Sequence, residues 1–196
     1  MNTIYFNEEN NDTRYKLDKS DVCYYQLEVD IKDVKQVVDI FESNISSEKN
    51  KHINFTYDKE LQNILLKESA VWLKKYNLRN SDETNGTIDH IQITMTKYNR
   101  NGIRSPFADH YDSDNGKCNT VLYYFSDNTI KGGELVIIDD KTNKHTLIST
   151  IPAPDHVKIV VMTGAVHHMI RPTFGHGTRK CVVVQHYIKH NDYFMD

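Results

Sequence analysis

The segment Pro106-Phe-Ala-Asp-His-Tyr-Asp-Ser-Asp114 sets an imidazole and a carboxylate, His110 and Asp112, two residues apart. Side chains alternate between faces on an extended backbone, so these two would point the same way. They make two-thirds of a 2-His-1-carboxylate set, which holds non-haem iron and leaves coordination positions open for other ligands. The third ligand must come from elsewhere. Val166-His-His-Met169 offers a second imidazole. Neighbours on a strand face opposite sides, so only one of His167 and His168 can join the set. The pair alone says little in a chain with 10 histidines and 27 acidic residues, where chance pairs arise. Its surroundings decide.

The elements that must carry these residues fall in two unequal parts. From Asp30 to Asn44 the apolar residues Ile31, Val34, Val37, Val38 and Phe41 follow helical spacing. Asp58 is placed to cap a second helix bearing Leu61, Ile64, Leu65, Val71 and Trp72. The polar, turn-rich stretch Asn77 to Thr87 reads as a hinge. Beyond it, strand candidates run Ile88–Tyr98, Asn119–Phe125, Glu134–Ile138, His145–Ser149, Val157–Met162 and Arg179–Ile188, separated by Gly, Asn, Asp and Pro clusters. Short strands with no helices between them predict an antiparallel sandwich or barrel. The expected fold is mainly β: a double-stranded β-helix (jelly-roll) core with N-terminal helices packed against it. A single domain over 1–196 is expected, with a helical support region over 1–87 and the core over 88–190.

The order of motifs adds a resemblance. A strand ending at Tyr98 with Gly102 after it precedes the His110-x-Asp112 pair. Thr120-Val-Leu-Tyr-Tyr-Phe125 and Lys131-Gly-Gly-Glu-Leu135 follow. Then come His168-x-Ile170-x-Pro172 and Gly177-x-Arg179. In that order the segment from about Ile91 to Ile188 resembles the 2-oxoglutarate/Fe(II) dioxygenases, specifically the prolyl 4-hydroxylase branch. The resemblance implies that His110, Asp112 and His168 bind Fe(II), the H-x-I-x-P match favouring His168 over His167. It implies that Arg179 forms a bidentate pair with the distal carboxylate of 2-oxoglutarate, as a planar guanidinium does well. Tyr124 matches a tyrosine that hydrogen-bonds that carboxylate, and Tyr98 one near the metal end of the cosubstrate. Two departures stand out: Arg179 lies one residue further from His168 than is common in the family, and Cys181 stands where Ser is frequent. Neither removes a group the chemistry needs.

The reaction so implied consumes dioxygen and 2-oxoglutarate, releases succinate and CO2, and hydroxylates a substrate, with ascorbate as a reductant. A prolyl residue in a peptide or protein is the expected target. The competing readings are a dioxygenase acting on a small molecule, free amino acid or nucleic acid, and a non-catalytic jelly-roll binding module. Substrate contacts are expected from the loops Asn99–Asp109 and Ser113–Lys117, with Arg171 and His176 near the rim. Gly132 and Gly133 suit a turn before a strand.

Composition weighs against several classes. A formal net charge of −3 leaves no electrostatic footprint for nucleic acid. No apolar run approaches the ~20 residues of a membrane span, and the first residues lack the charged and apolar regions of a secretory signal. Cys23, Cys118 and Cys181 are odd in number and without CxxC spacing, which argues against a disulfide scaffold and for a reducing compartment, expected to be the cytoplasm.

Overall fold

A computed structural model describes residues 3–7, 12–16, 23–44, 51–54, 59–78, 88–98, 107–112, 118–175 and 178–188. Three strands open the chain: β1 (Thr3–Asn7), β2 (Asp12–Lys16) and β3 (Cys23–Asp30). A short 3-10 turn (Ile31–Val34) leads into α1 (Lys35–Asn44), followed by β4 (Lys51–Asn54) and α2 (Lys59–Lys75). The second part holds β5 (Ile88–Tyr98), β6 (Phe107–His110), β7 (Cys118–Tyr124), β8 (Ile130–Gly132) and β9 (Leu135–Asp139). It continues with β10 (Lys144–Ile148), β11 (His156–Thr163), β12 (His168–Ile170), β13 (Thr173–Gly175) and β14 (Arg179–Ile188).

Among the described residues the strands form an eight-stranded sheet ordered β1-β2-β3-β11-β7-β14-β5-β4, a four-stranded sheet ordered β10-β9-β12-β6, and a β13-β8 ribbon. Every pairing is antiparallel. Two apolar layers result. In the outer one, α1 and α2 cover the large sheet, with Val37, Phe41, Leu65 and Leu73 against Val121, Tyr123, Ile159, Val182 and Val184. In the inner one, Leu122, Tyr124, Val160, Met162 and Cys181 of the large sheet pack against Leu135 and Ile137 of the small one. This is the expected jelly roll with helices on its outer face.

The alternation of period two explains why the second half of β7, Val121 to Tyr124, reads as an unbroken apolar run. Val121 and Tyr123 face the helices, while Leu122 and Tyr124 face the other sheet. A strand buried on both faces loses the in-out pattern of a half-exposed one.

The helices form for local reasons as well. Asp30 accepts a hydrogen bond from the Lys32 amide at 2.8 Å, capping the turn that starts the first one. Buried Val34, Val37, Ile40 and Phe41 then fall on one stripe. Helix α2 ends on Asn77 at φ 57°, with the Leu78 amide reaching the Leu73 carbonyl at 2.8 Å and the Asn77 amide reaching Lys74 at 3.0 Å. That is a Schellman closure with asparagine in the left-handed position. Asp58, most of the 77–87 hinge, and the loops at 99–106 and 113–117 lie outside the described residues. The N-terminal part holds more than helices: β3 pairs with β11, so this region extends the main sheet instead of only covering it.

Candidate metal centre

His110 closes β6 and His168 opens β12, and the two strands place them as direct cross-strand partners. Their ring centroids are 4.4 Å apart. Asp112 sits just past the end of β6, and its Oδ1 lies 3.8 Å from His110 Nε2 and 3.9 Å from His168 Nε2. The three candidate donor atoms fall within 4.8 Å of one another, and among the described residues this is the grouping able to hold a metal ion.

The surroundings fix the orientation of these donors. His168 is buried, and its Nδ1 donates to the Val166 carbonyl at 2.8 Å. A carbonyl only accepts, so the proton of the neutral ring sits on Nδ1 and the Nε2 lone pair faces Asp112. Burial holds the His168 pKa below the usual imidazole value, against the opposing pull of the Asp112 carboxylate. The neutral ring that a metal needs is therefore favoured. Asp112 uses its oxygens differently: Oδ2 accepts from the Thr120 hydroxyl at 2.5 Å, leaving Oδ1 toward the histidines. Two imidazole nitrogens and one carboxylate oxygen match the donor set of a non-haem Fe(II) site.

His167 goes elsewhere. Its Nδ1 lies 2.6 Å from Asp140 Oδ1 and its Nε2 lies 3.4 Å from Asp109 Oδ2. Tyr111 stacks on its ring at 4.6 Å and donates to the other Asp140 oxygen at 2.8 Å. Apart from Asp140, this cluster is built from residues adjacent to the site residues, which the period of two turns to the opposite face.

Further along the inner layer, Arg179 is only 3 % exposed and its guanidinium carbon lies 5.2 Å from the centroid of the Tyr124 ring. Tyr124 is fully buried, and its hydroxyl has no hydrogen-bond partner among the described residues. Burial pushes its pKa far above the ordinary phenol value, so the hydroxyl keeps its proton as a donor. Three local features seat Arg179. The Asp127 and Thr178 backbones join at 2.9 Å, and the Thr178 amide also donates to the Asp127 carboxylate at 2.9 Å. Gly133, at φ 74°, leaves space that a Cβ would close to 3.3 Å from Arg179 Cδ. Gly132, at φ 73°, lies where a Cβ would run into the Pro172 carbonyl oxygen. The two glycines thus permit close backbone approach as well as the turn.

The Tyr98 backbone pairs with Arg179, which opens β14; its side chain, like Gly102, His176 and Gly177, lies outside the described residues. Arg171 is exposed, 4.0 Å from Glu134. Thr120 was not singled out by sequence reasoning. The available signal was its register: counting back from Tyr124 in steps of two gives Leu122 and then Thr120, a hydroxyl at an inward position of an apolar strand.

Neither a protein-family model nor a curated protein matches the chain. Solved structures do. A prolyl hydroxylase from Trichoplax adhaerens, in complex with a peptide fragment of the hypoxia inducible factor oxygen degradation domain, is similar with TM-score 0.53 and 18% identity, covering 83% of each chain. A Pseudomonas putida prolyl-4-hydroxylase is similar with TM-score 0.53 and 12% identity, over 85% of this chain and 93% of that one. An oxidoreductase of the 2OG-Fe(II) oxygenase family from Burkholderia pseudomallei is similar with TM-score 0.54 and 12% identity, over 85% of both chains. At these identities the likeness is one of fold.

Proposed function

We propose that this chain is an Fe(II)- and 2-oxoglutarate-dependent dioxygenase, similar to the prolyl 4-hydroxylases, that hydroxylates a prolyl residue in a peptide or protein. One observation carries the reading. Thr120, Leu122 and Tyr124 lie on one face of β7, with Thr120 bound to Asp112 at one end and Tyr124 beneath Arg179 at the other. Four residues of strand span about 13 Å between Cα atoms. The donor trio and the guanidinium thus stand at the two ends of one apolar strand face.

His110, Asp112 and His168 would hold the iron. When bound, iron supplies the activation of dioxygen that couples decarboxylation of 2-oxoglutarate to hydroxylation of the substrate, leaving succinate and CO2. The chain's own groups do the rest. Arg179 takes the distal carboxylate as a bidentate ion pair inside an apolar wall, where water competes poorly. Tyr124 donates its hydroxyl proton into the same pocket. Leu122, Leu135, Ile137 and Met162 exclude water from the space between the sheets. The fold neighbour from Trichoplax adhaerens is a prolyl hydroxylase in complex with a peptide, which supports a peptide or protein as the substrate class.

The test is succinate release from 2-oxoglutarate by the purified protein, with and without Fe(II) and ascorbate, in air and in nitrogen. Slow succinate formation that needs both iron and oxygen supports the proposal, and proline-containing peptides should accelerate it. No succinate with any peptide, together with no binding of 2-oxoglutarate, would overturn it.

A further inference from the structure

We infer that Thr120 is a positioning residue of the metal centre, its hydroxyl holding Asp112 Oδ2 so that Oδ1 alone is presented to an ion. The inference rests on the iron reading above.

The geometry is directional. Asp112 lies beyond the end of β6, which pairs with β12 alone among the described strands. Thr120 lies in β7, paired on both sides, with Met162 of β11 and Gln185 of β14 as its register partners. A donor in the middle of the large sheet cannot follow its acceptor, so the carboxylate conforms to the hydroxyl. Thr120 has no exposed surface, so its hydroxyl is held in place by packing.

The Asp112 carboxylate only accepts, which settles the direction of the Thr120 proton and leaves the hydroxyl oxygen free to accept in turn. Cys118 Sγ, also fully buried, lies 3.7 Å from Thr120 Oγ1. A threonine hydroxyl has one proton and two lone pairs. With its proton given to Asp112, it accepts from the thiol, in the order Cys118, Thr120, Asp112. Burial pushes the Cys118 thiol up to about 12, so that donor keeps its proton at neutral pH.

The consequence is coordination number. A carboxylate can bind a metal through one oxygen or both. Through both, Asp112 would occupy a position that a chelating cosubstrate and dioxygen need. A hydroxyl on Oδ2 disfavours that mode.

The probe is Co(II) alone, titrated anaerobically into the full chain and followed by visible absorption, which reports both affinity and coordination. Wild type should show one saturable site, lost in His110→Ala. Thr120→Val should bind roughly tenfold or more weakly, with an altered visible band, and Thr120→Ser should restore both. A merely structural role would shift the melting temperature of the metal-free protein and leave the band unchanged. If valine is not accommodated, Thr120→Ala against Thr120→Ser is read the same way. A Thr120→Val titration and spectrum superimposable on wild type would overturn the inference alone. A wild-type protein with no saturable Co(II) site would overturn the iron reading and this inference with it.

Discussion

His167 and His168 are consecutive in the chain and serve opposite faces of it: His168 Nε2 lies 3.9 Å from Asp112, while His167 Nδ1 lies 2.6 Å from Asp140. One imidazole belongs to the donor trio and the other to a charged cluster behind it. Because Asp109 and His167 each neighbour a trio residue, the rear cluster ties β6, β12 and the turn after β9 together from outside. The two histidines are therefore separable by substitution.

His110→Ala and His168→Ala should each abolish Co(II) or Fe(II) binding while the far-ultraviolet circular dichroism stays near wild type. His167→Ala should keep the metal and lose about 1 kcal/mol or less of stability, since its partners are partly exposed. Metal titration of the three variants, beside a denaturant melt, checks this. Loss of the metal in His167→Ala with full retention in His168→Ala would reverse the assignment.

Arg179→Ala should raise the 2-oxoglutarate concentration needed for half-maximal turnover roughly 10- to 100-fold, the scale of a lost charged hydrogen-bonded pair. Tyr124→Phe, which removes a neutral donor, should raise it only several-fold. Co(II) affinity measured without cosubstrate should be unchanged in both. An unaltered 2-oxoglutarate dependence in Arg179→Ala would remove it from the site.

The two glycines should differ in what their replacement disturbs. Gly132→Ala meets the Pro172 backbone at a positive φ and should cost about 2 kcal/mol or more. Gly133→Ala shares the unfavourable φ but also presses on Arg179. It should weaken 2-oxoglutarate binding beyond its effect on stability. Calorimetry of both variants with and without 2-oxoglutarate separates the two effects.

The buried thiols set an alkaline limit. Desolvation raises Cys118 to about 12 and Cys181 to about 11, from an ordinary 9.0. As pH climbs past 9 the unfolded chain releases these protons while the folded chain still holds them. Stability is thus fully present below pH 9 and lost as pH rises toward 11–12. The denaturant midpoint should fall steadily across that window. At pH 8 neither thiol should react with iodoacetamide until the protein is unfolded, as mass spectrometry of the tryptic peptides would show.

Much of this arrangement was legible in the sequence. Strands β5 and β14 begin and end where alternation and turn residues place them, and the bounds of β7, β9, β10 and β11 fall within one residue. Helices α1 and α2 follow their apolar stripes. The bounds of the short strands β6, β8, β12 and β13 did not show, although the ligand spacing called for extended backbone at His110 and His168, because three or four residues carry too little periodicity to be told from loop. Yet β6 and β12 are the ones that bring His110 to His168, and their register depends on pairing distant in sequence. Strands β1, β2 and β4 are likewise defined by their partners in the large sheet. Thr120 stayed hidden because one hydroxyl in an apolar strand acquires meaning only when Asp112 is set opposite it.

Strand β6 lies at the rim of the small sheet, with β12 its one neighbour among the described strands. Such a margin peels open at lower free energy than an interior strand. His110 and Asp112 thus hang on the side of the site that can lift, while His168 stays on the side that cannot. An ion bridging the two would act as a rivet, adding about 2.7 kcal/mol of stability at a hundred times its dissociation constant. The amides of Phe107 to His110 would then be the ones whose hydrogen exchange slows most on loading, and the rim would become part of the wall.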